Sequence, residues 1–215
     1  MSQASTPTLD LTLGPKWHTL PLQVAPRSGL RVSVEDFWDL CMNNPDVDLE
    51  RTAEGEVIVL MPTGSETGIR NMSLGGQVWT WNRTTGLGVV LDSSGGFRLP
   101  NTAVRAADVS WIARERWEAM SSEEREKFAP ICPDFVIELV SPSQGRRRHE
   151  VEPKMREYLA QGVRLGWLID PFAAEAEIYR PGQVVETLAR PKTLSGEAVL
   201  PGFVLNLDGI WAEEG

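Results

Sequence analysis

Pro133-Asp134-Phe135-Val136-Ile137-Glu138-Leu139-Val140-Ser141-Pro142 reads as a buried β-strand with one carboxylate set inside it. Alternation puts Phe135, Ile137 and Leu139 on one face and Val136, Glu138 and Val140 on the other. Glu138 is therefore flanked on its own face by two valines. A charge in such a setting is costly unless a cation or several donors compensate it, and a metal ion is a common partner.

A second stretch, Ala107-Asp108-Val109-Ser110-Trp111-Ile112, repeats the pattern, with Asp108, Ser110 and Ile112 sharing a face. If the two strands are neighbours, both acids point at one spot. Mg²⁺ suits that arrangement, because it takes one or two carboxylates and completes its octahedron with water and phosphate oxygens. Sixteen residues after Glu138, Lys154 opens an amphipathic helix, with Pro153 as its first residue. Lys154, Tyr158 and Gln161 fall on one face of that helix, and Met155, Leu159 and Gly162 on the adjacent one. Two strand-borne carboxylates and a lysine are what metal-dependent phosphodiester cleavage needs. Taken singly, each has a plainer account: Asp108 as an edge or turn acid, Glu138 as half of a buried ion pair with an arginine, Lys154 as a solvated helix lysine.

The chain has 215 residues, of which 41% are hydrophobic, enough for one domain with extensions and a full core. It contains no apolar run of about 18 residues and no charged-then-apolar leader at its start. The two cysteines, Cys41 and Cys132, form neither a zinc pattern nor a disulfide framework, and a reducing cytoplasm is the expected location. A net charge of −9 argues against broad, non-specific binding of nucleic acid. It leaves room for a small basic cleft, and the one dense basic cluster, Arg146-Arg147-Arg148-His149, lies between the Glu138 strand and the Lys154 helix. Arg146, Arg147 and Arg148 are candidates to grip a phosphate backbone, with a solvated loop as the alternative.

Residues 1–30 lack periodicity and read as an N-terminal arm; 31–215 read as a single domain. Ser33 caps a helix with Phe37, Leu40 and Cys41 on one face, ended by Asn44-Pro45. A hairpin turns at Ala53-Glu54-Gly55. A long helix follows Ser65, with Ile69, Met72, Leu74, Val78 and Trp81 as its expected apolar side. Gly75-Gly76 in its middle costs about 1 kcal/mol per residue relative to Ala, which implies a close packing contact. Short strands flank Ser94-Gly95-Gly96, a helical segment covers 114–128, and strands are expected at 164–170, 175–179, 183–188 and 200–205. The tryptophans, Trp79, Trp81, Trp111 and Trp167 among them, read as core and interface residues rather than base-stacking platforms. This order predicts a mixed sheet flanked by helices.

With these residues in place, the chain resembles the Uma-two family of bacterial restriction endonucleases, within the PD-(D/E)xK nuclease superfamily. The resemblance runs from about Val32 to Trp211. It rests on residues 61–68 (MPTGSETG), 92–100 (DSSGGFRLP), 107–112 (ADVSWI), 132–143 (CPDFVIELVSPS), 154–158 (KMREY) and 166–171 (GWLIDP). It implies an α/β restriction-endonuclease-like fold, a central mixed sheet flanked by helices, here with an N-terminal extension. It also implies a Mg²⁺- or Mn²⁺-dependent endonuclease acting on DNA, with Asp108 as first metal-binding acid, Glu138 as second and the Leu139 carbonyl as third ligand. The parent motif's lysine would sit at Val140; here Lys154 on the following helix supplies it. Glu66 stands where many relatives carry histidine, and is either a ligand for a second ion or water, or a first-turn acid favoured by the helix dipole. Ala107 replaces the usual proline before the first acid. A homodimer follows by analogy, since two active sites cut two strands. The contrasting expectation is a nuclease-like fold used as a non-catalytic binding or assembly module.

Overall fold

Phe135–Leu139 (β9) and Leu165–Asp170 (β10) pair in parallel, and the helix between them, Arg148–Gln161 (α5), closes the unit that carries the strand acid. A computed structural model describes residues 8–11, 20–23, 29–60, 62–141 and 148–212, the side chains of 8–11, 20–23 and 148–150 excepted. β9 and β10 sit inside a six-stranded mixed sheet. Gly88–Asp92 (β5) and Val109–Ala113 (β8) lie beyond β9, while Glu175–Tyr179 (β11) and Glu186–Ala189 (β12) lie beyond β10. Only the β9–β10 pair is parallel. A parallel pair needs a crossover connection, and α5 provides it.

Both sheet faces are covered, which explains why β9 is buried at every position. One face carries Phe135, Ile137, Leu165, Trp167 and Ile169, with the Phe135 and Trp167 rings edge-to-face at 4.7 Å between centroids. Against it pack Ser65–Thr85 (α2) and the C-terminal strands Thr193–Ser195 (β13) and Val204–Asn206 (β14). The other face, with Val136, Val140 and Leu168, receives Val151, Met155 and Tyr158 from α5. Gly166 permits that approach: a Cβ there would lie 2.6 Å from the Met155 Cε.

A second sheet, of four short strands, brings further polar groups to this side. Its order is Val57–Val59 (β4), Leu49–Arg51 (β3), Val104–Arg105 (β7), Phe97–Arg98 (β6). The helix Val34–Asn43 (α1) packs on it through Phe37 and Leu40, and Ser33 caps α1 by accepting from the Asp36 N–H. The 114–128 segment forms two short helices, Arg114–Glu118 (α3) and Ser122–Glu126 (α4), because Ser121 and Glu124 make a capping box that restarts the chain. In the N-terminal arm, Thr8–Leu11 (β1) pairs with Leu20–Gln23 (β2).

Three expectations need correction. Ile69 and Met72 on α2 are 63% and 73% exposed; the face that meets the sheet is Thr67, Arg70, Leu74, Val78 and Asn82. Its polar members are satisfied by partners outside the helix: Arg70 donates to the Ile210 carbonyl, and Asn82 accepts from Trp111 Nε1 and the Gly88 N–H. Of the two glycines, Gly75 faces Val109 at ordinary contact distance and Gly76 faces open space, so no close approach requires them. Finally, α5 begins at Arg148 rather than at Pro153. The proline sits in the second turn, where its missing N–H costs a single hydrogen bond, to residue 149. Of the tryptophans, Trp111 and Trp167 are in the core and Trp81 packs against it, whereas Trp79 is exposed.

Candidate functional site

β8 and β9 run antiparallel with Val109 opposite Ile137 and Ser110 opposite Val136. Continued by one residue, that register sets Asp108 opposite Glu138, and opposed residues share a face. The sheet thus brings the two acids together. Asp108, just ahead of β8, is fixed against its neighbour strand: its Oδ2 accepts from the Leu139 N–H at 2.7 Å. From the far side Asn71 of α2 extends its Nδ2 to Asp108 Oδ1 at 3.4 Å.

Glu138 is wholly buried, and two of its partners come from α5. Lys154 Nζ lies 2.7 Å from Glu138 Oε1, and the Tyr158 hydroxyl donates to the same oxygen at 3.1 Å. These two side chains are one helical turn apart, which puts both over β9. Burial, then the negative charges of Glu138 and Glu50, hold the Tyr158 phenol well above its ordinary pKa, so it acts as a neutral donor.

Lys154 has two further partners that the sequence did not announce. Its Nζ is 2.7 Å from Glu50 Oε1 and 2.8 Å from the Ala106 carbonyl. Glu50 comes from β3, in the other sheet, and is itself held by Arg105, whose Nη1 is 3.1 Å from Glu50 Oε2. Arg105 in turn grips Glu157 of α5 at 2.7 Å, and Asn101 donates to the other Glu157 oxygen. Burial opposes the Arg105 charge, but Glu50 and Glu157 more than offset it and push its pKa up. The result is a mostly dry cluster in which, among the described residues, three carboxylates (Glu50, Glu138, Glu157) contact two cations (Arg105, Lys154). The rule that flagged Glu138, an acid inside an apolar strand, does not reach Glu50, whose strand Leu49–Arg51 has a single apolar residue. Asn71 carries no comparable signal in the sequence.

The donor set fits a hard divalent cation. The buried Asn71 Oδ1, beside Asp108, has no hydrogen-bond partner among the described residues. No group of three or more His, Cys, Asp or Glu among the described residues is arranged as a cage. Mg²⁺ does not need one, since it is usually held by one or two carboxylates with waters and substrate phosphates. Burial pushes the thiols of Cys41 and Cys132 up to about 12, which keeps them protonated and poor metal ligands.

The other candidates are placed differently. Glu66, in the first turn of α2, has a side chain 78% exposed and pairs with Arg70 at 3.6 Å, which favours its role as a helix-start acid. Arg146 and Arg147 lie outside the described residues, and of Arg148 only its place at the start of α5 is described. Gln161 accepts from the Asn101 N–H rather than reaching the acids. Among the described residues no helix is long and apolar enough to cross a membrane.

Comparison with known proteins supplies context for this geometry. Residues 34–208 match the model of the family Uma2, described as "putative restriction endonuclease". The structure is similar to a crystal structure from Anabaena variabilis ATCC 29413, described as a putative nuclease belonging to DUF820. The TM-score is 0.68 and the identity 21%, over 84% of this chain and 97% of that one. No curated protein matches the chain.

Proposed function

Given that the chain belongs to the Uma2 family of restriction-endonuclease-like nucleases, we propose that it is a Mg²⁺- or Mn²⁺-dependent endonuclease that hydrolyses DNA phosphodiester bonds. What supports the proposal is the 2.7 Å contact of Lys154, on the crossover helix, with Glu138 on β9, together with the β8–β9 register, which continued by one residue sets Asp108 opposite Glu138. Asp108, Glu138 and the Leu139 carbonyl would hold the ion, with Asn71 Oδ1 beside them. When bound, the ion supplies Lewis-acid polarisation of the phosphoryl group and lowers the pKa of a coordinated water.

The chain's own groups account for the rest. In hydrolysis a water oxygen forms a bond to phosphorus and the bond to the leaving sugar oxygen breaks, with negative charge growing on the phosphoryl oxygens. Lys154 brings a fixed positive charge to that growing charge, and the buried surroundings strengthen its effect. Tyr158 stays neutral and orients Glu138. Arg146 to Arg148, at the entrance to α5, are the residues proposed to meet the DNA backbone. Cutting both strands calls for two such centres, so a homodimer is part of the reading.

A nicking assay tests it. Supercoiled plasmid and single-stranded DNA are incubated with Mg²⁺ or Mn²⁺ and wild type, Glu138→Ala or Lys154→Ala. Metal-dependent cleavage lost in both variants supports the assignment. Cleavage that survives in both removes these residues from the chemistry. The net charge of −9 favours one second reading, a nuclease fold serving as a binding module; ion binding without cleavage of any DNA would be its signature.

A further inference from the structure

We propose that Glu50 is a positioning residue that retains Lys154 when Glu138 turns to a divalent cation. The inference rests on the metal-nuclease reading and adds a part to it. The Lys154 ammonium has three protons, and three acceptors surround it: Glu50 Oε1 and Glu138 Oε1, each at 2.7 Å, and the Ala106 carbonyl at 2.8 Å. An incoming cation at Glu138 meets the like charge of Lys154 on the same carboxylate, so the two compete for it through repulsion.

Releasing Glu138 would strand a buried ammonium if no other anion held it, and a buried unpaired charge is costly. Glu50 removes that cost, because with Ala106 it leaves Lys154 two of its three partners. Glu50 is itself unable to follow the ion freely. Its Oε1 also accepts from the Ala106 N–H at 3.2 Å, and its Oε2 is held by Arg105 at 3.1 Å. Arg105 is anchored to Glu157 on α5. The chain Glu157–Arg105–Glu50 thus ties the four-stranded sheet to the crossover helix and fixes the lysine at one position, whichever partner Glu138 takes.

The test is a double-mutant cycle read by ion binding rather than by cleavage. Mn²⁺ affinity is measured by calorimetry, and by the ion-induced rise in melting temperature, for the full chain as wild type, Glu50→Gln, Lys154→Met and the double variant. If Glu50 acts through the lysine, Glu50→Gln weakens Mn²⁺ about tenfold with Lys154 present. In the Lys154→Met background the penalty shrinks to roughly threefold or less, the part due to its charge alone. Equal penalties in both backgrounds, or no penalty in either, overturn the inference while leaving the metal site standing. If wild type binds no divalent ion, the metal-nuclease reading fails and takes the inference with it. Should Glu50→Gln not fold, Glu50→Asp, which withdraws the same oxygen by one methylene, runs the same cycle against the same criteria.

Discussion

Replacing Lys154 with methionine should destabilise the protein without an ion and restore much of the loss with one. Lys154 is about nine-tenths buried and serves two carboxylates that are buried still more deeply, both at 2.7 Å. Methionine keeps the volume of the stem and removes the charge, so packing changes little and electrostatics dominate. Breaking a buried pair by removing one partner costs about 3–5 kcal/mol. Proton uptake by a stranded carboxylate limits that, since a buried group neutralises rather than bear the full charge, and about 3 kcal/mol is the better figure. At roughly 2–4 °C per kcal/mol for a chain of this size, the melting temperature falls by roughly 6–12 °C. The deficit should narrow at pH 5, where those carboxylates take up protons more readily. Mn²⁺, which replaces the missing positive charge, should raise the variant's own melting temperature, since at about a hundredfold excess over Kd it contributes about 2.7 kcal/mol. The assay is thermal denaturation followed by circular dichroism at pH 8 and pH 5, with and without the ion. A variant as stable as wild type in ion-free buffer at pH 8 would refute the argument, because the cluster would then not depend on this cation.

Three further outcomes follow from the same geometry. Gly166→Ala places a methyl 2.6 Å from Met155 Cε, the end of a flexible side chain that can turn aside, and should cost about 1 kcal/mol in urea denaturation; a loss above about 3 kcal/mol would mean that Met155 is locked in place. Asn82→Ala leaves the Trp111 indole N–H and the Gly88 backbone groups without their partner and should cost about 3 kcal/mol; a loss below about 1 kcal/mol would show that water replaces it. Both tyrosines are held above the ordinary phenol value: Tyr158 by burial and the charges of Glu138 and Glu50, Tyr179 by burial and Glu177. The unfolded chain releases those protons near pH 10 while the folded one keeps them. Stability is therefore intact below pH 10 and falls as pH rises above it, by up to about 1.4 kcal/mol per pH unit for each tyrosine. Ultraviolet titration should show phenolate only as the protein unfolds; free titration near pH 10 in the folded state would contradict this.

The part of the site built on regular strands was legible in the sequence. Period-two alternation put Glu138 among valines, and the same alternation gave Asp108 its face, so one register fact sufficed to bring them together. What failed was the reading of faces that are not apolar. On α2 the hydrophobic pattern selected Ile69 and Met72, yet the buried face carries Thr67, Arg70 and Asn82. Those polar groups are buried because partners far along the chain, Ser141, Ile210 and Trp111, satisfy them, and local periodicity cannot see such partners. Glu50 was missed because its strand spans only Leu49–Arg51, too short for alternation to single it out. Its importance comes from packing a separate sheet against α5, a contact between residues more than a hundred positions apart. The start of α5 was misplaced because a proline usually marks a first turn, and here it occupies the second.

The most direct measurement is a crystal structure of the protein soaked in Mn²⁺, with anomalous difference density calculated at the manganese edge. The account predicts a peak between Asp108 and Glu138, with Lys154 still held by Glu50. A peak elsewhere, or none while Lys154 remains on Glu138, would contradict it.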